Sequence, residues 1–474
     1  ICRQLRLCNA LCLSNKFAGD GAGKLSFQRF PQGRIALGHS DLACLFCLYS
    51  LVLRIMKMKT EAPSTSRQPW KTVDYAASNS GPLTGIKVVD LSRLVAGNMA
   101  SLQLADSGAD VTKIEPLPAG DPLRAWQQAG IQTFWSVYCR NKTSIALDFR
   151  HEKSIDILTR LIDQADILIE SFRPGTLESM GLAPAILHRR NPGLIILRVS
   201  GFGQSGPYSH RPGFGTLVEA MSGFASRTGE AGGGPLLPPV ALADMIAGLY
   251  GSNGIMMALR GRDQTGQGQV IDLALLDSMV SAIGPDAFDY AVTGTVKQRV
   301  GNGSNTASPR NIYQTSDDHF IAISASIQST ARRLFAAVGA AAMIDDPKFA
   351  TNAARVKHQA EIDRVVGGWI AARSRQEVLA IFDAEGITAA PVNNIADNAD
   401  DPHFIERGIY VTAADATTGE VPMHQPLPVM ENNLDRLRMP APTLGQHSRA
   451  QLIKAGFQDG EIDQLIAQNV ISQP

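Results

Sequence analysis

Residues 85–116 read "GIKVVDLSRLVAGNMASLQLADSGADVTKIEP", and their pattern decides the fold. The apolar, β-branched run in "GIKVVDLS" (85–92) predicts a short strand ending in a loop. "NMASLQLADSG" then predicts a helix, and "ADVTKIEP" (109–116) the next strand. Strand, helix and strand at this spacing make a βαβ unit, whose crossover joins parallel neighbours. The alternation continues outward. "SIALDF" (144–149), "DILIESF" (166–172) and "LIILRVSG" (194–201) predict further strands, and "HEKSIDILTRLIDQA" an amphipathic helix. The expected class is α/β, an open parallel sheet with helices on both faces. Ligands of such sheets bind beyond the carboxyl ends of the strands. The loops "SRLVAGN", "EPLPAGDP", "SFRPG" and "SGFGQSGP" are therefore the places to look for a site.

Four segments are expected along the 474 residues. Residues 1–80 read as a disordered or spurious leader, and 81–298 as a large α/β domain with linker helices. Residues 299–420 read as a smaller α/β domain with a hairpin flanking Asp317-Asp318, and 421–474 as a return to the large domain. Cysteine usage sets the leader apart: five of the six fall in the first 47 residues, leaving only Cys139 beyond them. A body so poor in cysteine suits a reducing compartment. If the leader is translated upstream sequence, with the start at Met56 or Met58, the expected location is cytoplasmic. If it is a basic targeting segment, the location is mitochondrial.

Composition excludes several classes. Lys and Arg total 44 and Asp and Glu 44, without a basic block, so no nucleic-acid partner is expected. "LACLFCLYSLVL" (42–53) is too short for an easy membrane span, so no membrane partner is expected either. The nine histidines show no H-E-x-x-H, and Cys44-x-x-Cys47 has no second pair, so no metal site is expected. Gly201-x-Gly203-x-x-Gly206 matches a dinucleotide fingerprint. Pro207 and Pro212, however, stand where the phosphate-binding helix would run.

One residue invites a chemical reading. Asp244 is the sole charged side chain between Glu230 and Arg260, inside the Gly- and Ala-rich run "PLLPPVALADMIAGLYGSNGIMMAL". An apolar setting is costly for an unpaired carboxylate, so it is paired, near solvent, or functional. The structural alternative is a first-turn aspartate serving the helix dipole. As a nucleophile it could attack an activated acyl group. Ala241, Ala243, Ala247 and Gly248 would leave room for a ligand, and "GNGS" (301–304) is a candidate glycine lid.

With "NKTSIALDF", "DILIESFRPGTLESMGL", "ILRVSGFGQSGP", "ALADMIAGLYGSNGIMMAL", "GQGQVIDLAL" and "PTLGQHS" added to the opening stretch, the chain resembles the class III CoA-transferases, the family of formyl-CoA and carnitine–CoA transferases. The resemblance runs from about residue 82 to the end. It implies a Rossmann-like large domain, a smaller α/β domain and an interlocked homodimer. It also implies transfer of CoA from an acyl-CoA to a free carboxylic acid, with no permanently bound cofactor and the CoA thioester as substrate.

Residue by residue, the resemblance makes Asp244 the nucleophile, forming an aspartyl anhydride and then an aspartyl-CoA thioester. Arg93, Leu94, Val95 and Ala96 should pass the pantetheine. Leu147 to Arg150, Ser171, Phe172, Arg173 and Met180 should bracket the adenine and its phosphates. Arg150 and Arg173 are the expected phosphate partners, and Arg124 is a candidate to replace an arginine that some members carry where this chain has Pro116. Phe214, Gly301, Gly303 and Arg310 are assigned to the lid and substrate side. Arg310 either pairs with a second carboxylate, as of succinate, or holds its loop. Val95 stands where the formyl-CoA branch has Gln, and Asn98 where Pro is usual. The racemase branch of the family reads "AGHD" where this chain reads "RPGFG", so Phe214 replaces its histidine. A 2-methylacyl-CoA racemase and a non-catalytic CoA-binding protein remain the alternatives.

Overall fold

The computed structural model describes residues 70–416, 418–431 and 436–473. The leader readings before residue 70, including the start site and the Cys44–Cys47 pair, lie outside the described residues. The expected leader boundary near residue 80 needs adjustment, because β1 (Lys71–Val73) already pairs in parallel with β11 (Tyr410–Asp415).

The apolar runs of the sequence form β2 (Lys87–Asp90), β3 (Asp110–Pro116), β4 (Lys142–Leu147), β5 (Ile167–Glu170), β6 (Ile195–Ser200) and β7 (Val270–Ala274). With β13 (Ile471–Ser472) they make one sheet in the order β13-β4-β3-β2-β5-β6-β7. Strands β2 to β7 run parallel, and β13 joins β4 antiparallel. The chain winds outward from β2 through β3 and β4, then returns to the other side of β2 with β5. The loops after β2 and β5 therefore part in opposite directions and open a crevice between them.

Helices cover both faces. Val89, Ile114, Ile145, Leu168 and Ile196 point to one face, against α2 (Ser154–Asp163). Val88, Val111, Ile167, Ile169 and Leu197 point to the other. There they meet α1 (Ala96–Asp106) and α4 (Leu242–Thr265). Between these helices in sequence lies the short α3 (Gly215–Met221). Period-two alternation along each strand thus feeds two cores at once. Helix α4 buries Ala243, Ala247, Gly251, Ile255 and Ala258, a stripe at helical spacing made of small residues near its start. Small residues are needed there. A Cβ on Gly248 would lie 2.6 Å from Met99 Cβ and 2.8 Å from the Ala96 carbonyl oxygen.

Helix α5 (Asp286–Thr293) buries none of its residues within this chain. Beyond it, β8 (Arg310–Gln314) and β9 (Phe320–Ser324) form the hairpin expected around Asp317-Asp318, with β10 (Ala389–Pro391) on the far edge of β9. This antiparallel sheet shares a core with α6 (Gln328–Ala337), α7 (Gln359–Ala371) and α8 (Arg375–Ala384). Strands β11 and β12 (Gly419–His424) belong to the separate sheet that includes β1. From Ser448 onward, Leu452, Ile462, Leu465 and Ile471 return to the core on the α2 face of the large sheet.

Candidate active site

Asp244 is the third residue of α4. The first turn of that helix lacks a capping side chain of its own. Its place is taken by Glu219 of α3, a buried carboxylate that accepts a hydrogen bond from the Ala243 amide at 3.1 Å. Ala96, the first residue of α1, shares the cleft with Asp244, and its amide and that of Asp244 itself act on the carboxylate to favour its charged form. Gly215, the first residue of α3, is so close that a Cβ there would lie 2.3 Å from Asp244 Oδ2. Three helix N-termini therefore meet at one carboxylate. Burial pushes its pKa up to about 6 and the nearby Glu219 charge pushes the same way, while the two amides pull it down. Among the described residues no cation ion-pairs with Asp244. It remains a carboxylate at neutral pH, stabilised by backbone dipoles and more basic than an exposed aspartate.

A cleft of about 420 Å³ opens in front of it at the crevice between β2 and β5. Arg93, Leu94, Ala96, Ser171, Phe172, Arg173 and Phe214 from the sequence reading line this cleft together with Asp244. Arg93 is held by two aromatic rings, its guanidinium 5.7 Å from the Phe149 centroid and 5.5 Å from that of Phe172. Burial lowers its pKa from the usual arginine value, with Asp121 opposing. Phe214 is 59% exposed and forms an open apolar wall.

Other expected residues lie elsewhere. Val95 is buried against Leu123, Trp135 and Cys139, and Leu147 is buried in the sheet core. Met180 packs partly against that same core. Arg150 is exposed beyond β4 and does not line the cleft. Arg124 is buried, its guanidinium bonded to both Glu115 oxygens at 2.6 and 2.8 Å and lying 3.7 Å over the Trp135 ring. Its charge is already used, which corrects the idea that it stands in for a phosphate arginine. Gly301 and Gly303 are not at the cleft: Gly301 bonds to the Gly229 carbonyl, and the Gly303 carbonyl accepts from Arg310 at 3.1 Å. Arg310 holds its loop in this chain.

The sequence reading missed Glu219, Gly215 and Arg211. Arg211 lines the cleft with its guanidinium 3.7 Å over the Tyr208 ring. The decoy glycine motif has a structural use instead. Gly201 and Gly213 approach so closely that a Cβ on Gly201 would lie 2.6 Å from Gly213 Cα. That contact closes the loop after β6 and delivers Phe214 and Gly215 to Asp244. The signal was present as paired glycines twelve residues apart. His210 is exposed and is not among the residues lining the cleft.

The model of CoA-transferase family III matches residues 83–448. The chain is 35% identical over 394 residues to the succinyl-CoA–D-citramalate CoA-transferase of Chloroflexus aurantiacus, covering 82% of this chain and 98% of that one. It is 34% identical to the succinate–glutarate CoA-transferase of Agrobacterium fabrum, over 78% of this chain and 95% of that one. The crystal structure of a CAIB/BAIF family protein from Brucella suis aligns with a TM-score of 0.70 at 33% identity, covering 80% and 100% of the two chains. The chain belongs to CoA-transferase family III. It is an enzyme that moves CoA between acyl groups. Among the described residues there is no group of His, Cys, Asp and Glu side chains that could hold a metal ion. No described helix is long and apolar enough to cross a membrane.

Proposed function

We propose that this enzyme transfers CoA from an acyl-CoA to a free dicarboxylic acid, or from a dicarboxylic acyl-CoA such as succinyl-CoA, with Asp244 as covalent carrier. The observation that carries the mechanism is the position of Asp244: it lines the cleft at the meeting of three helix N-termini, with no cation paired to it among the described residues. An Asp244 oxygen attacks the donor thioester carbonyl, the C–S bond breaks, and CoA thiolate leaves a mixed anhydride. The thiolate attacks the aspartyl carbonyl, releasing the donor acid and forming an aspartyl-CoA thioester. The acceptor carboxylate attacks that thioester in turn, giving a new anhydride and free thiolate. Thiolate then takes the acceptor acyl group and restores the Asp244 carboxylate. No water or cofactor enters the balance. The Ala96 amide, which favours negative charge on this carboxylate, would favour the charge that its oxygen gains each time the aspartyl carbonyl is attacked.

The dicarboxylate reading rests on relatives whose names include succinate, glutarate and citramalate. For the CoA phosphates, Arg93, Arg173 and Arg211 are the candidate partners, since a guanidinium pairs bidentately with phosphate. A racemase would need a second acid–base group on the cleft beside Asp244; Glu219 is buried on the Ala243 amide and does not line the cleft, and the wall there is Phe214.

The large domain is read as Rossmann-like and the protein as an interlocked homodimer. Its support is the apolar surface that a single chain leaves bare: Met256 and Met257 on α4, and Phe288, Tyr290 and Val292 on α5. The test of function is a pairwise panel of acyl-CoA donors and mono- and dicarboxylic acceptors, with new thioesters read by mass. Transfer confined to monocarboxylic pairs would reject the dicarboxylate assignment, and absence of any transfer would reject the activity.

A further inference from the structure

Leu94 stands at the cleft with a left-handed backbone, φ +62°. Side chains with a Cβ seldom adopt that conformation unless their surroundings enforce it. Here both polar groups of the residue are clamped. The Leu94 amide donates to Asp121 Oδ1 at 3.0 Å, and its carbonyl accepts from Asn98 Nδ2 at 2.6 Å. The same Asn98 amide donates to Asp121 Oδ2 at 2.9 Å, so the two clamps are one unit.

That unit is rigidly backed. Asp121 also accepts from the Leu123 amide at 2.9 Å, and Lys113 Nζ lies 3.1 Å from its Oδ2. Asn98 is fully buried, and its side-chain oxygen takes a hydrogen bond from Lys142 Nζ at 3.2 Å. Burial pushes the Asp121 carboxyl up, but Lys113 and the amides around it together hold it below the usual carboxylate range. Two residues beyond Leu94 in the chain is Ala96, which lines the cleft with Asp244 and packs its carbonyl against Gly248 of α4, where a Cβ would lie 2.8 Å from it; its amide favours the charged form of Asp244.

We propose that Asp121 and Asn98 are positioning residues for catalysis: by clamping the amide and carbonyl of Leu94, they fix the turn that aims the Ala96 amide at Asp244. A proline at position 98, usual for the resembling family, would have no side-chain amide for this purpose. The catalytic consequence rests on the CoA-transfer reading; the effect on Asp244 itself does not. Other charges near Asp244 are Glu219 from α3 and Arg93, Arg173 and Arg211 on the cleft wall; Asp121 acts on Arg93 through its charge, so Asn98→Ala, which removes no charge, isolates the clamp.

The test uses the full chain as wild type, Asp121→Ala, Asp121→Asn and Asn98→Ala, with folding checked by circular dichroism. One readout is independent of activity. Carbodiimide couples an amine to protonated carboxyls, and labelling of the Asp244 peptide is followed by mass against pH. Turning the Ala96 amide away from Asp244 raises the labelling midpoint in Asp121→Ala by about one pH unit. With an active substrate pair, kcat falls about 10- to 100-fold, while KM for the acyl-CoA changes little. Asp121→Asn keeps an oxygen for the Leu94 and Leu123 amides but sets an NH2 against Asn98 Nδ2 and Lys113 Nζ, so its loss lies between wild type and Asp121→Ala. If Asp121→Ala does not fold, Asn98→Ala carries the same comparison. An unmoved midpoint in the folded variant overturns the proposal, as does a defect confined to KM. A wild type that transfers nothing overturns the CoA-transfer reading instead, and the labelling midpoints still decide this one.

Discussion

Gly215 and Asp244 are in contact in a way that only glycine permits: a Cβ on Gly215 would lie 2.3 Å from the Asp244 Oδ2 atom. Gly215 begins α3, and Asp244 lies in the first turn of α4. The absent side chain therefore makes room for the carboxylate. Gly215→Ala must displace it, and a displacement near 1 Å costs about 100-fold in rate. The expected result is a folded protein with kcat lowered by that order, measured by steady-state transfer. Wild-type kcat in Gly215→Ala would show that the carboxylate has free space.

Glu219 gives the pH prediction. Asp244 must be ionised to attack, and its pKa of about 6 places the acid limb of kcat/KM near that pH. Glu219→Gln keeps an oxygen for the Ala243 amide but removes a like charge. The carboxyl pKa falls and the acid limb moves to lower pH. A limb that stays in place, or moves up, contradicts the assignment.

Arg173 should act on binding. It lines the cleft and is exposed, and the described residues give it no ion-pair partner. Hydrogen bonds to charged groups contribute about 1.5–3 kcal/mol, so Arg173→Ala raises KM for the acyl-CoA roughly 10- to 100-fold with kcat nearly unchanged. Dephospho-CoA substrates would show which phosphate it meets. An unchanged KM removes it from the CoA site.

Away from the cleft, His424 links stability to pH. Burial, with Arg140 beside it, lowers its pKa from 6.5 to about 4. The folded state then binds fewer protons than the unfolded chain between those values, so this group favours folding above pH 6.5 and loses that contribution as pH falls toward 4. Thermal unfolding of His424→Leu, compared with wild type, should depend less steeply on pH in that window. Equal slopes would place the acid sensitivity elsewhere.

Much of the fold is legible in the sequence because β2 to β6 are short apolar runs separated by helices or turns, and local pattern suffices to find them. Asp244 is legible for the same reason, as one charge in an apolar run. Arg124 is not. Its partners, Glu115 and the Trp135 ring, come from segments that meet only after the sheet forms. Leu94 shows the same limit, since nothing local marks a leucine for a left-handed turn imposed by Asp121 and Asn98. Strand β13 is two residues long and takes its register from β4. Neither its length nor its composition sets it apart before folding.

The most direct test of the account is covalent trapping at Asp244. Enzyme loaded with a productive acyl-CoA is treated with hydroxylamine or borohydride, digested and read by mass. The account predicts a modified peptide containing Asp244 in the wild type, and neither modification nor transfer in Asp244→Asn. Transfer that persists in a homogeneous Asp244→Asn enzyme, with no adduct at residue 244, would contradict it.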